Sequence, residues 1–165
     1  MDEAQTLDFQ ELKRYSMFGG ITPETFEALR PFIHLQDFNT GDHVMEEGAV
    51  NDRVFFIVSG SVEVLKHLEG RDPGDCRRIT VMGTGETFGE MELIDVQPCA
   101  ATVRAIEPTR TLTLSNHDLY RVSKSDLKTY TLLILNLARE LSRRIRTMDG
   151  MISGERPSSQ IDISD

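Results

Sequence analysis

Between Phe38 and Val103 the chain is rich in Val, Ile, Phe and Thr, and turn residues cut it again and again. The cuts are Gly41-Asp42, Glu47-Gly48, Asn51-Asp52, Ser59-Gly60, Asp72-Pro73-Gly74-Asp75 and Gly83-Thr84-Gly85. β-Branched and aromatic residues suit a pleated surface, and such punctuation leaves little room for helices of ordinary length. Val54-Phe55-Phe56-Ile57-Val58 reads as a buried strand, and Val62 and Val64 with Leu65 as an alternating one. Ile79, Val81 and Met82 form a third, while polar Lys66 to Arg78, with its Pro73-Gly74, reads as the tip of a long hairpin. Strand texture resumes at Ala101–Ala105 and at Thr111–Leu114. Many short strands with recurrent turns predict a sandwich, jelly roll or barrel.

Helical signals flank this core. Leu7, Leu12, Tyr15, Met17 and Phe18 suggest a short amphipathic helix ended by Gly19-Gly20. Thr22 can cap the next helix, Pro23 suits its first turn, and Phe26, Leu29 and Ile33 supply a buried face. Asn116 and Asp118 open a further helical region, and Asp126 to Met148 is strongly helical. On that last helix Tyr130, Leu133 and Leu137 form one apolar stripe. Ile134, Ala138, Leu141, Ile145, Met148 and Ile152 form a second, spaced alternately by four and three as in a heptad seam. Gly150 is the expected end. The organisation expected is therefore a flexible segment 1–10, helices and strands over 11–125, a C-terminal helix over 126–152 and a disordered tail 153–165 that is rich in Ser, Pro and acids.

A chain of 165 residues is long enough for one domain with a real core. Its 18 Lys and Arg against 27 Asp and Glu leave a net charge of −9, which argues against nucleic acid as the main partner. No apolar run is long enough for a membrane span, and the acidic start, Met1-Asp2-Glu3, does not resemble a signal peptide. The reading is cytoplasmic, with Cys76 and Cys99 as reduced thiols. His34, His43, His67 and His117 lack metal-ligand spacing, and no serine sits in a nucleophile elbow, so neither a metal site nor an enzyme is expected.

Residues 88–105 read Phe88-Gly89-Glu90-Met91-Glu92-Leu93-Ile94-Asp95-Val96-Gln97-Pro98-Cys99-Ala100-Ala101-Thr102-Val103-Arg104-Ala105. This stretch resembles the phosphate-binding cassette of the cyclic nucleotide-binding domain family: Phe-Gly-Glu, a short helix, then Pro-Arg-Ala-Ala-Thr-Val-x-Ala. Gly41, Gly48, Gly60, Gly83 and Gly85 also fall where that family has glycines, and the resemblance spans roughly residues 10–150. It implies a mainly β fold: a double-stranded β-helix, or jelly roll, with N-terminal helices and a long C-terminal helix. It also points to a regulatory ligand-binding module with cyclic AMP, cyclic GMP or a related small ligand as effector, and no other cofactor is assigned. The ligand would sit at Gly89, Glu90, Met91, Cys99, Ala100 and Ala101. In the family the glutamate matching Glu90 accepts from a ribose hydroxyl and the arginine after the proline pairs with the phosphate. By its chemistry alone, Glu90 is either that acceptor or an acid capping a helix start.

The arginine position is Cys99. A charge-assisted bond to phosphate contributes roughly 1.5–3 kcal/mol. Its loss weakens a cyclic nucleotide by about tenfold to a hundredfold. Cys99 reads as a small, half-buried replacement in a pocket that no longer binds, as part of a pocket reshaped for another ligand, or as a reactive thiol. Arg77, Arg78, Arg104 or an arginine of the last helix are the candidates for a substitute cation. Arg139, Arg143, Arg144 and Arg146 make that helix basic, either as a solvated face or as the lid that the family places over the base. The seam of Ile134, Ala138, Leu141, Ile145 and Met148, beside Arg144, predicts pairing into a homodimer. The family's transcription regulators continue into a DNA-binding domain. Here an acidic tail follows, so a stand-alone sensor, or a dimeric protein-interaction module with a degenerate pocket, is expected.

Overall fold

A computed structural model describes residues 8–68, 70 and 75–153. The elements are α1 (Phe9–Leu12), a 3₁₀ turn (Ser16–Phe18), α2 (Pro23–Leu29), a second 3₁₀ turn (Arg30–Phe32), and strands β1 (His34–Phe38), β2 (His43–Met45), β3 (Arg53–Ser59), β4 (Ser61–His67), β5 (Cys76–Gly83) and β6 (Thr87–Phe88). Then follow α3 (Glu90–Asp95), β7 (Thr102–Ala105), β8 (Thr109–Ser115), α4 (Asn116–Ser125) and α5 (Leu127–Ser153). Two antiparallel four-stranded sheets, ordered β1-β8-β3-β6 and β2-β7-β4-β5, make the jelly roll. No helix among the described residues is long and apolar enough to cross a membrane.

β3 explains why its sequence is a continuous apolar run rather than an alternating one. Phe55 and Ile57 enter the interior of the roll with Met45, Val62, Met82, Phe88, Cys99 and Val103. Val54 and Phe56 enter a second cluster with Leu112 and Leu114, against the helices. A strand buried on both faces needs apolar residues at every position. At the β3–β4 turn Gly60 has φ +87°, and a Cβ there would stand 2.4 Å from the Pro108 carbonyl oxygen, so the turn requires glycine.

The helices dock on the outer face of the first sheet. Thr22 caps α2, its Oγ1 accepting the Thr25 N–H at 3.2 Å, with Pro23 in the first turn. Phe26 and Leu29 are buried as expected, and Ile33 packs at the edge of the cluster. Ser115 caps α4 by accepting the Asp118 N–H at 3.0 Å. Leu133 and Leu137 of α5 are buried in the same cluster, with Tyr130 beside them. Asn136, 1% exposed, fastens α5 by donating to the Met17 and Gly19 carbonyls at 3.0 and 2.9 Å.

Three local expectations are corrected. The polar stretch Lys66 to Arg78 is not all hairpin tip, because β4 and β5 pair as far as His67 opposite Cys76. The arms are held by ladder bonds rather than apolar burial, so hydrophobicity did not mark them. Residues 69 and 71–74 of the tip lie outside the described residues. Gly150 does not end α5, which runs on to Ser153. It adopts no positive φ, and a helical glycine costs only about 1 kcal/mol. The first amphipathic helix is instead two short pieces, α1 and the 3₁₀ turn Ser16–Phe18. Of the segment 1–10, only residues 8–10 are described, and there Asp8 caps α1 by accepting the Gln10 N–H at 2.8 Å. The tail from residue 154 onward lies outside the described residues.

Candidate functional site

The site grows from the short pairing of β6 with β3. Phe55 lies opposite Phe88 and Phe56 opposite Thr87, and the Phe55 and Phe88 rings stack at 4.9 Å. This fixes the exit of the chain at Gly89, whose φ of +78° turns it into α3. A Cβ at residue 89 would sit 2.6 Å from the Arg53 carbonyl oxygen, so the turn passes too close to β3 for any side chain. α3 ends at Val96, a non-glycine residue at φ +57°.

Glu90, first in α3, is 1% exposed. Its Oε1 receives Arg144 Nη1 from α5, and the same nitrogen donates to the Thr87 carbonyl at 3.2 Å. Its Oε2 is buried without a hydrogen-bond partner. Burial drives the Glu90 carboxyl above its ordinary value of 4.5, and the Arg144 charge opposes that rise only in part. Because the folded state holds this proton more tightly than the unfolded chain, ionising Glu90 weakens the fold as pH rises through and above the ordinary carboxyl range. Glu90→Gln removes that dependence. Urea unfolding across pH 4 to 8 is expected to show the variant gaining on the native protein as pH rises; parallel pH curves would contradict it.

Cys99 is 3% exposed and belongs to the interior of the roll. Its N–H donates to Ala49 O and its carbonyl accepts from Gly48, both at 2.8 Å, so this segment is pinned to the loop after β2. Burial first, and then the negative charge of Glu92, raise the Cys99 thiol. Both work against thiolate formation, so the thiol lacks the electropositive setting of a reactive cysteine. The Ala100 N–H donates to Glu92 Oε1 at 3.2 Å, and Glu92 is 7% exposed. The Ala100 carbonyl accepts Lys66 Nζ at 2.5 Å, and the same ammonium lies 2.7 Å from Glu47. Ala101 is half-buried, and Met91, 47% exposed, stands toward solvent.

Of the candidate cations, Arg104 is committed to Glu63 at 2.5 Å, with Arg78 at 3.8 Å from the same acid. Arg77 is exposed on β5. On α5, Arg139 donates to Asn136 at 3.1 Å and Arg143 lies 3.3 Å from Glu140. Arg146 is exposed. Of these α5 arginines, Arg144 is the one that bonds the cassette, at Glu90. Along the seam, Ile134 packs partly into the helix cluster, Leu141 is half-buried, and Ala138, Ile145 (58%) and Met148 (59%) are exposed. The side chain of Ile152 lies outside the described set. Among the described residues no cluster of His, Cys, Asp and Glu is suited to a metal.

Sequence reasoning missed Glu92 and Asn136. Both are buried polar residues within apolar patterns: Glu92 precedes Leu93, and Asn136 lies three residues after Leu133 and next to Leu137. A polar residue on a core stripe is the signal that finds them.

A family model for the cyclic nucleotide-binding domain matches residues 35–126. The cyclic AMP receptor protein of Thermus thermophilus is 28% identical over 139 residues, 84% of this chain and 61% of that one. A CRP-like cAMP-activated global transcriptional regulator of Mycobacterium tuberculosis is 30% identical over 137 residues, 82% of this chain and 57% of that one. The chain thus spans about six tenths of the length of these curated relatives. In structure it is similar to the Thermus thermophilus catabolite activator protein, with TM-score 0.71 and 27% identity over 84% of this chain and 62% of that one. It is also similar to a cyclic nucleotide-binding domain from Methylobacillus flagellatus, with TM-score 0.78 and 24% identity over 92% of this chain and 84% of that one.

Proposed function

Because the chain belongs to the cyclic nucleotide-binding domain family, we propose that it is a non-catalytic regulatory module in which a small ligand competes with Arg144 for Glu90 and α5 carries the response. The observation that supports this reading is the Arg144–Glu90 ion pair, which joins the cassette to the C-terminal helix. Glu90 is the group that the family resemblance assigns to a sugar hydroxyl, and its Oε2 is still without a partner. A ligand that binds better when Arg144 has withdrawn shifts α5 toward the withdrawn position, by no more than that difference in affinity. Cyclic AMP, cyclic GMP and related small molecules are the effectors to try. The effector class fits the relatives, one of which is named for its activation by cAMP.

The test pairs titration calorimetry with amide exchange along α5. Cyclic AMP, cyclic GMP, adenosine and guanosine are titrated into the native protein and into Glu90→Ala. We expect Glu90→Ala to weaken whichever compound binds at least tenfold, and bound ligand to speed exchange in α5 beyond Arg144. Binding that ignores residue 90, or leaves α5 unaltered, defeats the reading.

The exposed seam supports a homodimer through α5, with a second copy covering Ala138, Ile145 and Met148. A second reading rests on Cys99. With its side chain packed into the apolar interior and no arginine there, the pocket is degenerate for cyclic nucleotide and the dimer serves protein interaction. In either reading the partners are protein, not nucleic acid or membrane, in keeping with the net charge of −9.

A further inference from the structure

The charges around the cassette run opposite to what a phosphate needs. The corner formed by residues 99–100 offers a buried thiol in place of a cation, and its Ala100 N–H is already taken by the carboxylate of Glu92. The neighbouring ammonium, Lys66, is bound to the Ala100 carbonyl and to Glu47. The guanidinium that reaches the cassette, Arg144, is bound to Glu90. Among the described residues, a phosphate at this corner would meet the Glu92 carboxylate, while the two cations just named are already paired with acids, and like charges repel. A few residues away the need is reversed: Glu90 Oε2 is buried and accepts nothing. An acceptor in that position calls for a donor, and a hydroxyl supplies one without bringing charge.

Resting on the sensor reading above, we propose that Glu92 is a tethered anion that holds the phosphate corner shut, so that the site selects an uncharged, hydroxyl-bearing ligand of the nucleoside class over its cyclic phosphate. Glu90 receives the ligand's sugar hydroxyl. Glu92 stays on the Ala100 N–H and excludes a phosphodiester. Specificity here is a penalty on the wrong ligand as much as a contact to the right one.

The native protein and Glu92→Gln are titrated with adenosine, guanosine, cyclic AMP and cyclic GMP. Gln keeps an acceptor for Ala100 and loses only the charge, and a thermal melt of each protein verifies folding. In the native protein a nucleoside is expected to bind at least about tenfold more tightly than its cyclic phosphate. In Glu92→Gln the cyclic nucleotides gain affinity while the nucleosides keep theirs, which narrows the ratio. Cyclic nucleotide binding the native protein more tightly than nucleoside overturns the charge selection and leaves the sensor reading standing. Equal effects of Glu92→Gln on both ligand classes also overturn it. If none of the four compounds binds either protein, the selection and the sensor reading fall together.

Discussion

Truncating Phe26 to alanine is expected to lower the unfolding free energy by about 3–5 kcal/mol, the usual range for a phenylalanine lost from a core. Phe26 has no exposed surface. Its ring lies 4.9 Å from that of Phe9 and 6.0 Å from that of Phe18, and the Phe18 ring meets Phe56 of β3 edge-on at 5.1 Å. Phe26 is therefore the middle of an aromatic chain that ties α1, α2 and the 3₁₀ turn to the first sheet. The groups around it are rings on separate short elements, which cannot collapse together without shifting the helices. Urea unfolding of Phe26→Ala beside Phe26→Leu gives the comparison, the second variant losing less because more volume is kept. A loss below about 1 kcal/mol for the alanine variant would show that the helical layer repacks freely.

The other large effect concerns mass. If α5 pairs with a second copy about a two-fold axis, Ile145→Glu turns dimer into monomer at micromolar protein. Ile145 is 58% exposed within one chain, so the substitution leaves the fold intact. Burying such a side chain contributes roughly 1.5–3 kcal/mol. A two-fold axis loses it twice, which weakens association by about a hundredfold to ten-thousandfold. Sedimentation velocity reads the change directly. A native protein that sediments as a monomer, or a variant with unchanged mass, would place the partner of the seam elsewhere.

The roll was legible because its signals are local. The run at Val54–Val58, the cap at Thr22-Pro23 and the cassette glycines each act through their own backbone or their own burial. The two apolar stripes of α5 were legible for the same reason, as periodicity on one helix. What lay hidden depends on partners distant in sequence. Arg144 could be counted among the residues of a lid, but its pairing with Glu90 spans 54 positions. The Asn136 bonds to Met17 and Gly19 span more than a hundred. The extent of β4 and β5 was hidden too. A two-stranded arm with exposed faces is specified by hydrogen bonds that every residue type can make.

The attachments of α5 differ in kind along its length. Its first half is seated on buried leucines and fastened at Asn136 to the carbonyls of the N-terminal turn, while at Arg144 a charged contact joins it to the cassette. Geometry makes such a helix a lever with its fulcrum near Asn136. At 1.5 Å per residue, Met148 lies about 18 Å beyond that fulcrum, so a tilt of about ten degrees carries it through roughly 3 Å. Arg144 lies about 12 Å from the same fulcrum, so any movement at the Glu90 contact would be enlarged about one and a half times at Met148.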